Sequence, residues 1–389
     1  MNELFWLLLP VAALSGWLTA KYNLWSQPPS FPSISADYFK GLNYLLNEQP
    51  DKAIDIFVEL IDDDIDAEAI ETHLALGALF RRRGEVNRAI QIHQNLMAQT
   101  TLNEQQRHQA ALELGLDYQR AGLLDRAEDL FTELVEVKAH RVYAYQRLLD
   151  IYQQEHEWEK AITTAQQLQQ VSDEDITYLI AHYYCEQAEI LYQQKQYDIA
   201  LQKLTLALKI DKNCVRASLL EGQLALDMCQ LEKAILAFKR VEQQDLDYLT
   251  EIIAALQTCY HKLDKPDEFK QYLHHVLMNY GGVTPLLVLA SMLENQKGGL
   301  HAADFVVQYL HDRPSIRGLD YLLDLALENS ESITREHLLL LKGMTTQLLK
   351  DKPIYKCHQC GFTGKSLHWQ CPSCKHWNTI KPIQGIDGE

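Results

Sequence analysis

Half of the eight cysteines in this chain fall within "KCHQCGFTGKSLHWQCPSCKHW", residues 356–377, spaced as Cys357-x2-Cys360-x10-Cys371-x2-Cys374. A Cys-x-x-Cys turn presents two thiolates to one ion, and two such turns brought face to face complete a tetrahedron of sulfur. Gly361 follows the second cysteine and permits the tight turn that aims backbone N–H groups at sulfur, whereas Lys375 stands where a second glycine is usual and Pro372 stiffens that turn. Tetrahedral coordination by four thiolates suits one zinc or one iron ion, and the spacing does not choose between them. A closed shell of four thiolates leaves no position for substrate, which argues against hydrolytic chemistry. His358, His368 and His376 lie close by, but with the shell already complete they read as surface residues or as supports for the ligands.

Elsewhere the chain holds no Gly-rich phosphate loop, His-Glu-x-x-His pair or nucleophile elbow, the arrangements that mark phosphate, metalloprotease and acyl-transfer chemistry. No catalytic residue is expected, and the protein reads as a non-enzyme. A net charge of -17, from 36 basic and 53 acidic residues, argues against a general nucleic-acid binder, which depends on basic surface to neutralise phosphates. The remaining cysteines, Cys185, Cys214, Cys229 and Cys259, stand singly in helical stretches and read as buried thiols in a reducing compartment.

The elements that must position the cysteine turns come from a repeat. "KGLNYLLNEQPDKAIDIFVELI" from Lys40, "LGALFRRRGEVNRAIQIHQNLM" from Leu76, "LGLDYQRAGLLDRAEDLFTELV" from Leu114 and "LLDIYQQEHEWEKAITTAQQLQ" from Leu148 share small, aromatic and alanine positions. The series Ala53, Ala89, Ala127, Ala161, Ala200, Ala234, Phe269 and Ala302 recurs at steps of 33 to 39 residues, with a weaker helix pair over 316–350. This resembles the tetratricopeptide repeat, a helix-turn-helix of about 34 residues. Gly41, Tyr44, Ala53 and Phe57 match its pattern, as do Gly115, Tyr118, Ala127 and Phe131. Longer steps imply extended inter-repeat turns at "DDDIDAE" (62–68) and "TTLNEQQ" (100–106). Such units bury against their neighbours what none can bury alone, so the aromatic positions are core. The first helix of each unit lines a concave face, which by register includes Tyr143, Gln146, Asp150, Gln153, Glu189, Tyr192, Arg216 and Gln223, a groove for a peptide or protein. "RRR" at 81–83 precedes Gly84 and complements a helix dipole, or meets a lipid headgroup or partner.

At the other end, Leu4 to Ala20 is apolar and free of charge, with Trp6, Trp17, Tyr22 and Trp25 near its ends. As a helix it would extend about 26 Å, close to the lower limit for a bilayer core. "MNE" supplies no basic region and "SGWLTAK" is a poor cleavage site, so an uncleaved anchor is favoured over a signal peptide or a helix of the globular body. Lys21 and the polar body on one side leave residues after 21 in the cytoplasm by the positive-inside tendency, and "SQPPSFPS" (26–33) forms a stiff spacer.

The fold class is therefore all-α: an N-terminal transmembrane helix, a superhelical repeat solenoid and a small C-terminal metal module similar to rubredoxin and zinc-ribbon modules. The expected division is an anchor over 1–21, a spacer over 22–33, about eight repeats over 34–315, a terminal helix pair over 316–350 and the four-cysteine module over 354–380. A module of roughly 35 residues draws most of its folding energy from the ion. Tyr355, Phe362, Trp369 and Trp377 exceed what it can hide, and some are expected to pack on "REHLLLLKGMTTQLL" (335–349), making the module a lid on the solenoid's end.

Anchor, repeats and "YKCHQCGFTGKSLHWQCPSCKHWNTI", in this order over the whole chain, resemble the lipopolysaccharide assembly protein B family of Gram-negative bacteria. The resemblance implies a single-pass inner-membrane protein facing the cytoplasm. It implies an adaptor that promotes degradation, by the membrane AAA+ protease, of the deacetylase that commits material to lipid A, alongside other lipopolysaccharide assembly proteins. Carried over residue by residue, Cys357, Cys360, Cys371 and Cys374 are the metal ligands and residues 4–20 the anchor. Two other readings stay open: an iron rubredoxin centre for electron transfer, and a scaffold for a different envelope complex.

Overall fold

The computed structural model describes residues 67–328, 332–386 and 388–389, with a few isolated positions ahead of residue 67. The expected anchor, the spacer and most of the first repeat lie outside the described residues. Among those described, no helix is long and apolar enough to cross a membrane. Two compact units emerge, Met1–Ile151 and Tyr152–Glu389.

In the first unit α1 (Ala67–Arg83) pairs with α2 (Val86–Met97) and α3 (Glu104–Ala121) with α4 (Leu124–Val135), followed by α5 (Arg141–Gln154), within which the division falls. The second unit begins with the end of α5 and continues with α6 (Trp158–Val171). Five pairs follow: α7 (Thr177–Gln193) with α8 (Tyr197–Ile210), α9 (Val215–Asp227) with α10 (Leu231–Gln244), α11 (Leu249–Lys262) with α12 (Pro266–Asn279), α13 (Val283–Lys297) with α14 (Gly299–Asp312), and α15 (Ile316–Glu328) with α16 (Ser332–Asp351). A 3-10 turn, Leu246–Tyr248, precedes α11.

The repeat register is visible in these bounds. Ala89, Ala127, Ala161, Ala200, Ala234, Phe269 and Ala302 are each the fourth residue of the second helix of a unit, and all are buried. Close helix approach is the reason small residues recur there. A side chain at Gly115 would stand 2.9 Å from the ring of Phe131, and one at Gly222 would stand 2.5 Å from the ring of Phe238.

The unit beginning with α1 uses a different chemistry in the same slot. Gly77 faces His93 instead of a phenyl ring, and an imidazole in a dry core needs a hydrogen-bonding partner. Asp117 of α3 supplies it at 2.5 Å from His93 Nδ1, both side chains being fully buried. Asp117 in turn accepts from Arg81 at 2.7 Å, and Arg81 also donates to Glu113 at 2.6 Å. The three arginines do end the helix as expected, and Arg81 is in addition an internal ion-pair partner. Between α2 and α3 the expected long turn holds Asn103, whose side chain accepts from Gln106 N–H at 2.8 Å while Gln106 reciprocates at 3.1 Å, a capping box that starts α3.

Six of the hairpins among the described residues close in the same way. Gly84, Gly122, His156, Lys195, Cys229 and Asp264 follow the first helices in the left-handed region, with φ between 55° and 84°. The next N–H in each case reaches back to the carbonyl five residues earlier, at 2.8–3.0 Å, for example Gln196 to Leu191 and Lys265 to Tyr260. These are Schellman closures, which satisfy the last helical carbonyls. Only two of the six positions carry glycine, and a Cβ there costs about 1–2 kcal/mol.

The chain ends in a small antiparallel sheet of order β2-β1-β3, made by β1 (Tyr355–Cys357), β2 (Thr363–Gly364) and β3 (Ile380–Pro382). Tyr355 faces Gly364 on one side and Pro382 on the other. We expect Lys195→Gly and Asp264→Gly each to raise stability by about 0.5–1 kcal/mol, after the greater flexibility of glycine in the unfolded chain is counted. The two sites are far apart, so the double variant should show the sum in chemical denaturation.

Candidate metal centre

The two cysteine turns are built alike. Gly361 N–H donates to Cys357 O at 3.0 Å and Cys357 N–H to Phe362 O at 2.7 Å; in the second turn Lys375 N–H donates to Cys371 O and Cys371 N–H to His376 O, both at 2.9 Å. Gly361 and Lys375 occupy the equivalent left-handed position, at φ 80° and 61°. The turns therefore approach as near-copies, and the four sulfurs lie within 4.8 Å of one another. Cys357 Sγ is 3.8 Å from Cys374 Sγ, and Cys360 Sγ is 3.7 Å from Cys371 Sγ. Metal–sulfur bonds of about 2.3 Å give a tetrahedron with edges of about 3.8 Å, which these two separations match, so the donor set fits one ion.

Electrostatics point the same way. Desolvation acts against ionisation of Cys357, yet the Thr379 hydroxyl and the N–H groups of Cys360 and Gln359 hold its thiol down to about 6. The N–H of Phe362 lowers Cys360. For Cys374 the N–H of His376 favours the thiolate, but desolvation and the three neighbouring sulfurs outweigh it and push the thiol up to about 12. A fourth negative charge at this spacing needs a cation to hold it. His358, His368 and His376 are all exposed; His368 meets Ser366 at 3.0 Å and His376 the Cys374 carbonyl at 3.0 Å.

The module's own core is Tyr355, Cys357, Cys371 and Ile380, with Phe362 and Leu367 at its edge. Its two tryptophans point out of it, into the repeats. Trp377 donates from Nε1 to Gln153 Oε1 at 2.7 Å, and its ring lies 5.1 Å from His182, 6.0 Å from Tyr183 and 6.4 Å from Trp158. The Arg216 guanidinium sits 5.9 Å above the same ring and pairs with Glu186 at 2.8 Å and Glu189 at 3.0 Å. Trp369 stacks on Tyr248 at 5.4 Å and also meets His182 at 5.9 Å. Polar contacts finish the seam. Tyr248 donates to Ile380 O at 2.8 Å, Tyr355 to Glu251 at 2.8 Å, and Lys381 binds Asp245 at 2.8 Å and Asp247 at 2.7 Å.

This seam corrects the expectation of a lid on the last helix pair. The module lies against the end of α5 and helices α7, α9 and α11; α16 meets it mainly at its C-terminal end, where Lys365 donates to Lys350 O at 2.6 Å. The physical reason is that α16 offers exposed leucines and no phenyl, phenol or indole ring, and directs Lys342 and Thr345 to Asp320 and Asp324 of α15, whereas the repeat face offers rings, carboxylates and Gln153. Of the residues expected to line an open groove, Gln153 and Arg216 hold the module and Glu189 braces Arg216. Tyr192 and Gln223 converge on Asp227. In the first unit Tyr143 lies under Arg147, which pairs with Asp150 at 3.0 Å, while Gln146 is half-buried. Residues 182, 245, 247, 248 and 251, essential to the seam, carry no motif; the run "AHYYC" (181–185), with a histidine among core aromatics, was the available signal.

A helical-repeat body of the tetratricopeptide type carrying a rubredoxin-type four-cysteine module is the class that this fold and site define. A family model described as rubredoxin metal binding domain matches residues 355–382. The whole chain is similar to lipopolysaccharide assembly protein B of Escherichia coli K12, 39% identical over 390 residues and covering 100% of both chains. It is 34% identical to the Haemophilus influenzae protein of that name, covering 98% of each. This chain belongs to the lipopolysaccharide assembly protein B family. Among solved structures, the C-terminal part of a TPR repeat-containing protein from Cytophaga hutchinsonii aligns with 64% of this chain and 98% of its own, at 12% identity and a TM-score of 0.41.

His182 makes the seam pH-dependent. Burial, followed by the charge of Arg216, lowers its pKa to about 3, against about 6.5 in the unfolded chain. Above pH 6.5 the ring is neutral in both states; below it the unfolded chain takes up a proton that the folded chain refuses. This group's contribution to stability therefore falls by up to about 1.4 kcal/mol per pH unit from pH 6.5 towards 3. Denaturation titrations of His182→Phe should lose that slope relative to the parent. Trp377→Ala should cost about 3–5 kcal/mol at the seam. Limited proteolysis should then cut within 351–354, while elemental analysis shows bound metal unchanged.

Proposed function

We propose that Cys357, Cys360, Cys371 and Cys374 hold one zinc or iron ion whose role is to fold the module, and that the protein is a non-catalytic adaptor in lipopolysaccharide assembly. In this reading residues 4–20 anchor it in the inner membrane as part of a segment 1–21, and the spacer 22–33, repeats 34–315, terminal pair 316–350 and module 354–380 face the cytoplasm. Its partners are the membrane AAA+ protease, the lipid A pathway deacetylase and other lipopolysaccharide assembly proteins, and its output is turnover of the deacetylase. The observation that carries the reading is full-length membership in the lipopolysaccharide assembly protein B family. A closed donor set and a module committed to the repeat face support an architectural use of the ion. The anchor confines the adaptor to the plane of its protease and raises their effective concentration.

The electron-transfer alternative draws on the exposure of Cys360, since an exposed ligand offers a path for electrons. Elemental analysis and voltammetry of anaerobically purified protein separate the two. Zinc, or iron with no reversible redox step, supports the architectural role, and iron with a reversible couple supports electron transfer. In cells, Cys371→Ser should raise the steady-state deacetylase several-fold, and deletion of residues 1–20 should do the same at equal abundance. Unchanged deacetylase in both strains would remove the adaptor reading.

A further inference from the structure

Two of the cysteines outside the metal centre meet in the core. Cys185, in the middle of α7, and Cys214, the residue that caps the N-terminus of α9, place their sulfurs 3.9 Å apart. Both are almost wholly buried, at 0% and 4% exposure. They are separated by 29 positions of sequence, so the contact is made by the fold and not by a local turn.

The pair is chemically unequal. Cys214 sits at a helix N-terminus, where the free N–H of Ala217 and the positive end of the dipole favour a thiolate. The hydrogen bond from Cys185 acts first in lowering its pKa, with Arg216 adding to the effect against desolvation. Cys185, desolvated in mid-helix beside Cys214, is pushed up. The place of Cys214 at the helix N-terminus makes it the nucleophile of the pair and Cys185 the thiol that follows. A bond of about 2.05 Å needs the sulfurs to move closer, and helix termini move more freely than helix centres.

We propose that Cys185 and Cys214 form a reversible thiol–disulfide site that responds to hydroperoxides. The Cys214 thiolate attacks the terminal oxygen of a hydroperoxide, breaking the O–O bond; Cys214 becomes a sulfenic acid and the other oxygen leaves as water or an alcohol. Cys185 then attacks the Cys214 sulfur, and its proton leaves with the hydroxyl group as a second water. Two thiols lose two electrons in total, and the peroxide gains them. The bond would tie α7 to the start of α9 around the whole of α8. Arg216, two residues beyond Cys214, is the side chain whose guanidinium rests on Trp377, so the site lies directly beneath the seam that holds the metal module.

The test uses the full chain with its metal bound, treated with hydrogen peroxide under native conditions, then unfolded, blocked with an alkylating agent and digested without reduction. The expected result is a peptide pair linked through Cys185 and Cys214 that accumulates with peroxide and disappears with dithiothreitol. In Cys185→Ala the reaction should stop at Cys214 sulfenic acid, captured by dimedone. The proposal is overturned if both thiols stay alkylatable while exposed Cys229 oxidises, or if Cys214 sulfenic acid builds up in the parent chain without the linked peptide. Mapping of the parent chain decides the matter by itself should the variant fail to fold.

Discussion

The meeting of the His182 imidazole with the indoles of both Trp369 and Trp377 is the contact on which the second unit depends. Each ring is set by a different constraint. α7 fixes His182, while the second cysteine turn fixes Trp377 three residues beyond Cys374 and Trp369 two residues before Cys371. The rings meet only when both cysteine turns and the helices have their final shape. Arg216 completes the arrangement from above, and its charge is compensated by Glu186 and Glu189. A buried guanidinium on a tryptophan face gains more than an exposed one because water does not compete for it. Energy gained by ordering four sulfurs is therefore not confined to a small terminal module; it reaches the repeats through two indoles.

Much of this was legible beforehand, because the relevant signals are local or periodic. The alanine series gave the helix register to the residue, since close helix approach admits no larger side chain. The Cys-x-x-Cys spacing announced the sulfur cluster, since two-residue gaps are what a ligand turn needs. Where the module rests was not legible. Tyr355, Trp369 and Trp377 were correctly seen as too large for the module to hide, but their destination depends on Gln153, His182, Tyr248 and Glu251, which are 104 to 224 positions from the aromatic they meet. Pairings at that distance leave no periodic trace. The leucines of α16 suggested a nearer surface, and apolarity alone proved a weaker guide than complementary rings and charges.

A repeat pattern also says little about residues that replace its consensus. His93 in a phenylalanine slot looks like decay of the motif, yet Asp117 and Arg81 come with it from neighbouring helices and make the exchange self-consistent. The left-handed turn residues are a contrasting case. His156, Lys195, Cys229 and Asp264 occupy positions that favour glycine, and the Schellman closures hold them there at a cost the helix pairs can carry.

The seam has a mechanical side as well. A helical solenoid behaves as a spring, because small rotations at each joint between units add up along its length. Here a single rigid block is fastened at Gln153, Arg216, Tyr248 and Glu251, so the joints between those residues cannot open independently. That stretch works as a braced strut, and any elastic adjustment to a partner has to come from helices outside it.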